Sequence, residues 1–237
     1  MKYYVEQSCI IYKEKVYDFH DIKSNVNEIK KRICANVKNK DSPIAIMTGR
    51  RPELVFSMLA LLELGIPFLN VDLKFPESKI KFMLENADIK NAIIINTDEV
   101  KISGITPIVL NEEFIDNYSC TDIDIEKSEL AYYMFTSGTT GNPKGVQIRR
   151  KGLNNFINGV TKVIDFKAAS GIVSATAFCF DIFLLETILA LSKGLKVYLA
   201  TEEERKNPNL LMKLLKMLPN LKVKLGFFIL IHLMKLF

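Results

Sequence analysis

Apolar residues recur along this chain with two alternating periods. Ile22, Val26, Ile29, Ile33 and Val37 stand three or four apart, the spacing of one helical face. Asp21, just before them, is of the residue type that caps a helix. Residues 44–47, 68–71, 92–95, 172–175 and 195–199 are instead short, mainly apolar runs, which is how buried strands read. Between these runs lie helical patterns over 52–64, 76–86, 153–164, 182–191 and 208–218. Pro52, Pro76 and Pro208 suit a first helical turn, while Gly65, Gly194 and Pro219 suit a stop. Residues 10–12 and 16–19 flank Lys13-Glu14-Lys15 as a hairpin. Strands alternating with helices predict an α/β fold, with mostly parallel sheet(s) flanked by helices. Residues 111–129 break the pattern. They are acidic and read as a solvated connector, the best place for a subdomain break.

After that connector, an apolar aromatic run, Tyr132-Tyr133-Met134-Phe135, enters Thr136-Ser137-Gly138-Thr139-Thr140-Gly141-Asn142-Pro143-Lys144-Gly145, and residues 146–148 leave it as a second strand. Glycines allow close backbone approach. Successive N–H groups and hydroxyls make an anion cradle, and Lys144 adds a full charge. Pro143 stiffens the turn. A Walker loop does not fit, because Pro143 stands where its second Gly belongs. No Gly-x-Gly-x-x-Gly occurs, so the dinucleotide fingerprint is absent too. The stretch reads as a polyphosphate grip.

The 237 residues suffice for one large domain or two small ones. A net charge of +5, with lysines scattered among acids, gives no basic stripe and no case for nucleic acid. Cys9, Cys34, Cys120 and Cys179 lack Cys-x-x-Cys spacing and read as reduced thiols. With His20 and His232 alone, a His-based triad or a His-rich metal site is not expected. No signal core and no run long enough to span a membrane is seen, so a cytoplasmic protein is expected.

The phosphate stretch resembles, without a gap from Thr136 to Gly145, the signature of the adenylate-forming (AMP-binding) superfamily. Two further blocks resemble its amino-acid-activating branch, the nonribosomal peptide synthetase adenylation domains. Residues 61–80 look like an early block whose content is packing. Ala177-Phe178-Cys179-Phe180-Asp181-Ile182-Phe183-Leu184-Leu185-Glu186 looks like the block that lines the amino-acid pocket. By resemblance, Asp181 receives the substrate's α-ammonium, Ile182 and Leu185 line the pocket, and Phe180 walls the reaction centre. Asp181 also stands where a helix cap belongs, and both roles can hold, because a carboxylate has two oxygens. Glu186 is expected to serve its own helix only. A His that family members commonly carry after the phosphate loop is replaced by Arg149-Arg150-Lys151, which reads as a solvated turn.

The resemblance implies the front part of an adenylate-forming large domain, with the C-terminal half and small lid domain absent. The implied function is a fragment of an amino-acid-activating ligase that uses ATP, inactive by itself. Thr136, Ser137, Gly138, Thr139, Thr140, Gly141, Lys144 and Gly145 would bind the ATP phosphates. The catalytic Lys and the Mg2+ ligand are expected outside this chain. Implied partners are an amino acid and a phosphopantetheine carrier domain. The alternatives are an acyl-CoA synthetase-like member, a split enzyme, or a non-catalytic remnant that at most binds nucleotide. Asp181 speaks against the first, because a fatty or aryl acid has no ammonium to pair.

Overall fold

The computed structural model describes residues 2–37, 42–95, 102–110, 128–136, 143–163 and 171–216. The chain divides into two compact units, one of Met1–Lys23, Arg50–Pro52 and Phe156–Phe237, the other of Ser24–Gly49 and Glu53–Asn155. Among the described residues, no helix is long and apolar enough to cross a membrane.

The unit containing residues 53–155 is built on a six-stranded sheet. Its strands are β3 (Ile44–Ile46), β4 (Phe68–Asn70), β5 (Asn91–Ile94), β6 (Thr106–Val109), β7 (Leu130–Thr136) and β8 (Lys144–Arg149), in the order β6-β5-β3-β4-β7-β8. All neighbours are parallel except β7 and β8. Every residue of β3 and β4 is buried, as expected of central strands in a parallel sheet. Met47, Leu69, Val71 and Ile94 pack with Ile80, Met83 and Leu84 of α3 (Glu77–Asn86). The edge strand β6 has no counterpart in the sequence reading. Pro107 lies inside it, and proline is tolerated in a sheet mainly at such an edge.

The other unit holds the sheet β2-β1-β10-β9, formed by β1 (Cys9–Tyr12), β2 (Lys15–Tyr17), β9 (Gly171–Ser174) and β10 (Lys196–Leu199). β1 and β2 form the expected antiparallel hairpin, and β1 and β9 lie parallel to β10. Val173 and Ala200 pack against Leu211, Leu214 and Leu215 of α8 (Pro208–Lys216).

The helices keep their sequence signals, with corrections. Helix α1 (Phe19–Asn36) buries Ile22, Val26, Ile29 and Ile33, as expected. Its cap is Asp18, not Asp21. Asp18 Oδ1 accepts from the Asp21 N–H at 2.9 Å, and Asp21 Oδ2 accepts from the Asp18 N–H at 3.1 Å. The pair forms a reciprocal box of the kind a Ser/Glu pair makes. Helix α2 (Pro52–Leu64) ends at Gly65, where φ is +78°. The Ile66 N–H bonds to the Leu61 carbonyl at 3.0 Å and Gly65 N–H to Leu62, a glycine-terminated cap. Gly194 ends α6 (Ala190–Ser192) in the same way.

Helix α7 (Glu202–Lys206) has no counterpart in the sequence reading, although Thr201 and Glu204 form a full capping box. The run Arg149-Arg150-Lys151 is not simply a solvated turn. At the head of α4 (Arg150–Val163), Arg150 donates from Nε to the Ser128 carbonyl at 2.8 Å and from Nη1 to the Leu62 carbonyl at 3.1 Å. The connector expected at 111–129 lies largely outside the described residues, and positions on both sides of it belong to one unit.

Gly171 lies opposite Lys196 in the β9–β10 ladder, and a Cβ there would sit 2.9 Å from the Lys196 carbonyl oxygen. Gly171→Ala should therefore cost about 1–3 kcal/mol, the price of overpacking against backbone. Gly159→Ala, at an exposed position of α4 where a Cβ meets nothing within 4 Å, should be neutral or gain up to about 1 kcal/mol. Urea midpoints of the two variants check the contrast.

Candidate functional site

The residues singled out in the sequence fall in two places, one in each unit. The first is the β7–β8 hairpin. Apolar side chains hold its entering strand: Ala131 and Tyr132 are buried, and Tyr132 stacks on Phe68 of β4 with centroids 5.8 Å apart. The ladder pairs Phe135 with Gly145 and Thr136 with Lys144. Directly opposed residues in such a ladder lie about 4.5–5.5 Å apart, so both ends of the 137–143 connection are held side by side. Thr136 is half-buried, whereas Lys144 and Gly145 are exposed. A Cβ at Gly145 would meet the Phe135 ring at 3.2 Å, so the ring crowds the backbone there. Ser137, Gly138, Thr139, Thr140 and Gly141 lie outside the described residues.

The second place is the segment after β9. Helix α5 (Ile182–Leu184) leads into a π-helical turn, Leu185–Leu189, and then α6. Asp181 does cap: its Oδ1 accepts from the Ile182 N–H at 2.8 Å. Its Oδ2 has no partner among the described residues. Asp181 and Ile182 are half-buried, and Phe180 is 49 % exposed. Leu185 is buried among core side chains.

Glu186 overturns its expected role, since its carboxylate leaves its own helix. Oε2 accepts from the Ala175 and Thr176 N–H groups, both at 3.0 Å, and from Ser174 Oγ at 3.2 Å. Oε1 accepts from Thr176 Oγ1 at 2.5 Å. Arg50 reaches the same backbone. Its Nε donates to the Ala200 carbonyl and its Nη1 to the Thr176 carbonyl, both at 2.6 Å. Its Nη2 donates to the Ser174 carbonyl and to Ser174 Oγ. Its guanidinium also lies over the Phe183 ring, 5.1 Å from the centroid. Burial lowers Arg50 to about 10, against the pull of Glu186, so it stays charged at neutral pH. Burial also raises Glu186, outweighing its bonds from Thr176, the nearby Arg50 charge and Ser174. Among the described residues, no group of three His, Cys, Asp or Glu side chains could hold a metal.

The family of AMP-binding enzymes matches residues 2–225. The chain belongs to that family. Among its curated relatives, a dimodular nonribosomal peptide synthase of Bacillus subtilis (strain 168) is 29% identical over 210 residues, covering 84% of this chain and 9% of the relative. Tyrocidine synthase 3 of Brevibacillus parabrevis is 29% identical over 199 residues, covering 80% of this chain and 3% of the relative. The chain thus spans less than a tenth of the length of these relatives. The fold matches a crystal structure of the nonribosomal peptide synthetase FmoA3 in its alpha-methyl-L-serine-AMP-bound form, with TM-score 0.73 at 17% identity, over 87% of this chain and 23% of that one. It also matches holo-AB3403, a four-domain nonribosomal peptide synthetase bound to AMP and glycine, with TM-score 0.71 at 19% identity, over 86% of this chain and 15% of that one.

Sequence reasoning on this AMP-binding chain passed over Arg50, Ser174 and Thr176. One signal existed: Glu186 is the one charged residue between Ile182 and Leu191, so its carboxylate had to find partners inside the protein.

Because folding raises the Glu186 carboxyl above its ordinary 4.5, the folded chain holds that proton more tightly than the unfolded chain does. This contribution to stability is full below about 4.5 and is lost as pH rises through the folded value. Glu186→Gln should remove that fall. Urea midpoints from pH 4 upward should converge on a flatter profile for the variant, apart from changes common to both proteins.

Proposed function

We propose that the chain is the front part of an amino-acid adenylation domain of the nonribosomal peptide synthetase type. The reaction joins an amino acid to ATP. A carboxylate oxygen of the amino acid attacks the α-phosphorus, the bond from that phosphorus to the α,β-bridging oxygen breaks, and pyrophosphate leaves with its electrons. Such chemistry depends on positioning and on stabilising the leaving charge. Thr136, Ser137, Gly138, Thr139, Thr140, Gly141, Lys144 and Gly145 would grip the departing phosphates. Asp181 would hold the ammonium, with Phe180, Ile182 and Leu185 around it. Mg2+ would supply further charge neutralisation when bound, and its ligand is sought outside the described residues. The adenylate would then pass to a phosphopantetheine thiol on a carrier domain.

The observation that carries this reading is the state of Asp181. It spends Oδ1 on the Ile182 N–H and keeps Oδ2 for a cation at a half-buried site. The hairpin register supports it, holding Lys144 across from Thr136 at the ends of a Ser/Thr/Gly connection. The substrate of an acyl-CoA synthetase-like member, a fatty or aryl acid, has no ammonium for that second oxygen of Asp181 to pair.

The test is amino-acid-dependent ATP–pyrophosphate exchange in a protein that carries this chain with the rest of an adenylation domain. Asp181→Asn keeps a good cap and should hold its melting temperature. It loses the counter-charge, so kcat/KM for amino acids should fall at least about a hundredfold, as expected for breaking a desolvated ion pair. Lys144→Ala should weaken pyrophosphate binding by about 1.5–3 kcal/mol. Full exchange activity in the Asn variant would remove the amino-acid reading. Unchanged pyrophosphate affinity in the Ala variant would remove Lys144 from the phosphate grip.

A further inference from the structure

Glu186 and Arg50 hold the same short stretch of backbone, residues 174–176, by opposite groups. Glu186 takes the N–H groups of Ala175 and Thr176 and the hydroxyls of Ser174 and Thr176. Arg50 takes the carbonyls of Ser174 and Thr176. This stretch is where the chain leaves β9; beyond the Ala200 N–H on the Ser174 carbonyl and Arg205 Nε on the Ala175 carbonyl, its backbone groups are satisfied by two buried side chains, Glu186 and Arg50. Glu186 is the second residue of the π-helical turn that follows α5. Turns of this kind are rare and gather at functional sites. Between Asp181 and Glu186 lies Phe183, fully buried, with Arg50 over its ring and Phe178 edge-on at 6.4 Å. Among the described residues the Asp181 side chain bonds only the next N–H, and its carbonyl accepts from the Leu184 N–H at 2.9 Å, so Asp181 goes wherever α5 begins. The start of α5 is in turn pinned through Phe183 and Glu186.

We infer that Glu186, backed by Arg50, is a positioning residue for Asp181: its four hydrogen bonds lock the π-helical turn that continues α5 to the exit of β9 and so fix where Asp181, at the other end of α5, presents its free oxygen. The functional meaning of that placement rests on the proposed ammonium-binding role of Asp181. The placement itself does not.

The experiment compares the 237-residue chain with Glu186→Leu and Glu186→Gln by NMR, under conditions where each is folded. Leu keeps apolar bulk and accepts no hydrogen bond. Gln keeps one acceptor for the backbone N–H groups and an amide that donates to Thr176 Oγ1. The readouts are hydrogen exchange at the Ile182 amide and the carboxyl carbon resonance of Asp181. In the Leu variant, Ile182 should exchange at least about tenfold faster, as expected when hydrogen bonds worth some 1.4 kcal/mol or more are lost, and the Asp181 resonance should move. Gln should restore both signals, while the Ala45 and Ala92 amides in the other sheet stay unchanged throughout. A merely structural role would lower the melting temperature and leave both signals in place, and that result overturns the inference. If the Leu chain does not fold, Thr176→Val removes the donor to Oε1 and carries the same test. Movement of the same two signals supports the inference, and signals identical to wild type overturn it. An Asp181→Asn enzyme that kept full exchange activity would sink the amino-acid reading without touching these signals, so the two failures are distinguishable.

Discussion

A carboxylate buried to 4 % exposure needs every donor it can find, and this constraint organises the unit that carries Asp181. Glu186 meets it by drawing in two backbone N–H groups and two hydroxyls from the exit of β9. Arg50 meets the complementary need of the carbonyls on the same stretch and that of Ala200, which follows β10. The two parallel strands β9 and β10 therefore end on one guanidinium. Removing either charged partner would strand buried polar groups, which is much costlier than the net worth of the bonds themselves. A rigid, fully satisfied network of this type can hold a neighbouring functional group in one place.

The hairpin in the other unit solves a different problem. The position of a connection between two strands depends on where its two ends are anchored. The anchor is β7, wedged against β4 through Tyr132 and Phe68 and paired along its length with β8. Arg150 adds a further tie by bonding the carbonyls of Ser128, before β7, and Leu62, near the end of α2.

Much of the architecture was legible because it is written in local patterns. Short, mainly apolar runs became buried parallel strands, and the stripe from Ile22 to Ile33 became the buried face of α1. Gly65 and Gly194 marked helix ends because positive φ was needed there. What the sequence hid was non-local. β6 was unreadable because Pro107 argues against a strand unless its edge position is known. Asp18 and Asp21 are both fair caps, and the choice depends on where the preceding hairpin ends. Asp181 stood out as a cap and as a family position, yet the residues that fix it did not. Arg50 and Glu186 are far apart in the chain, and their common target at 174–176 exists only once the strands have formed.

The most direct test is a crystal structure of a protein containing this chain, bound to a non-hydrolysable aminoacyl-adenylate analogue. The account expects the ammonium nitrogen within about 3 Å of an Asp181 carboxylate oxygen, while Glu186 keeps its bonds to Ala175 and Thr176. An analogue bound with its ammonium on other groups, or with Glu186 released from those N–H groups, would contradict it.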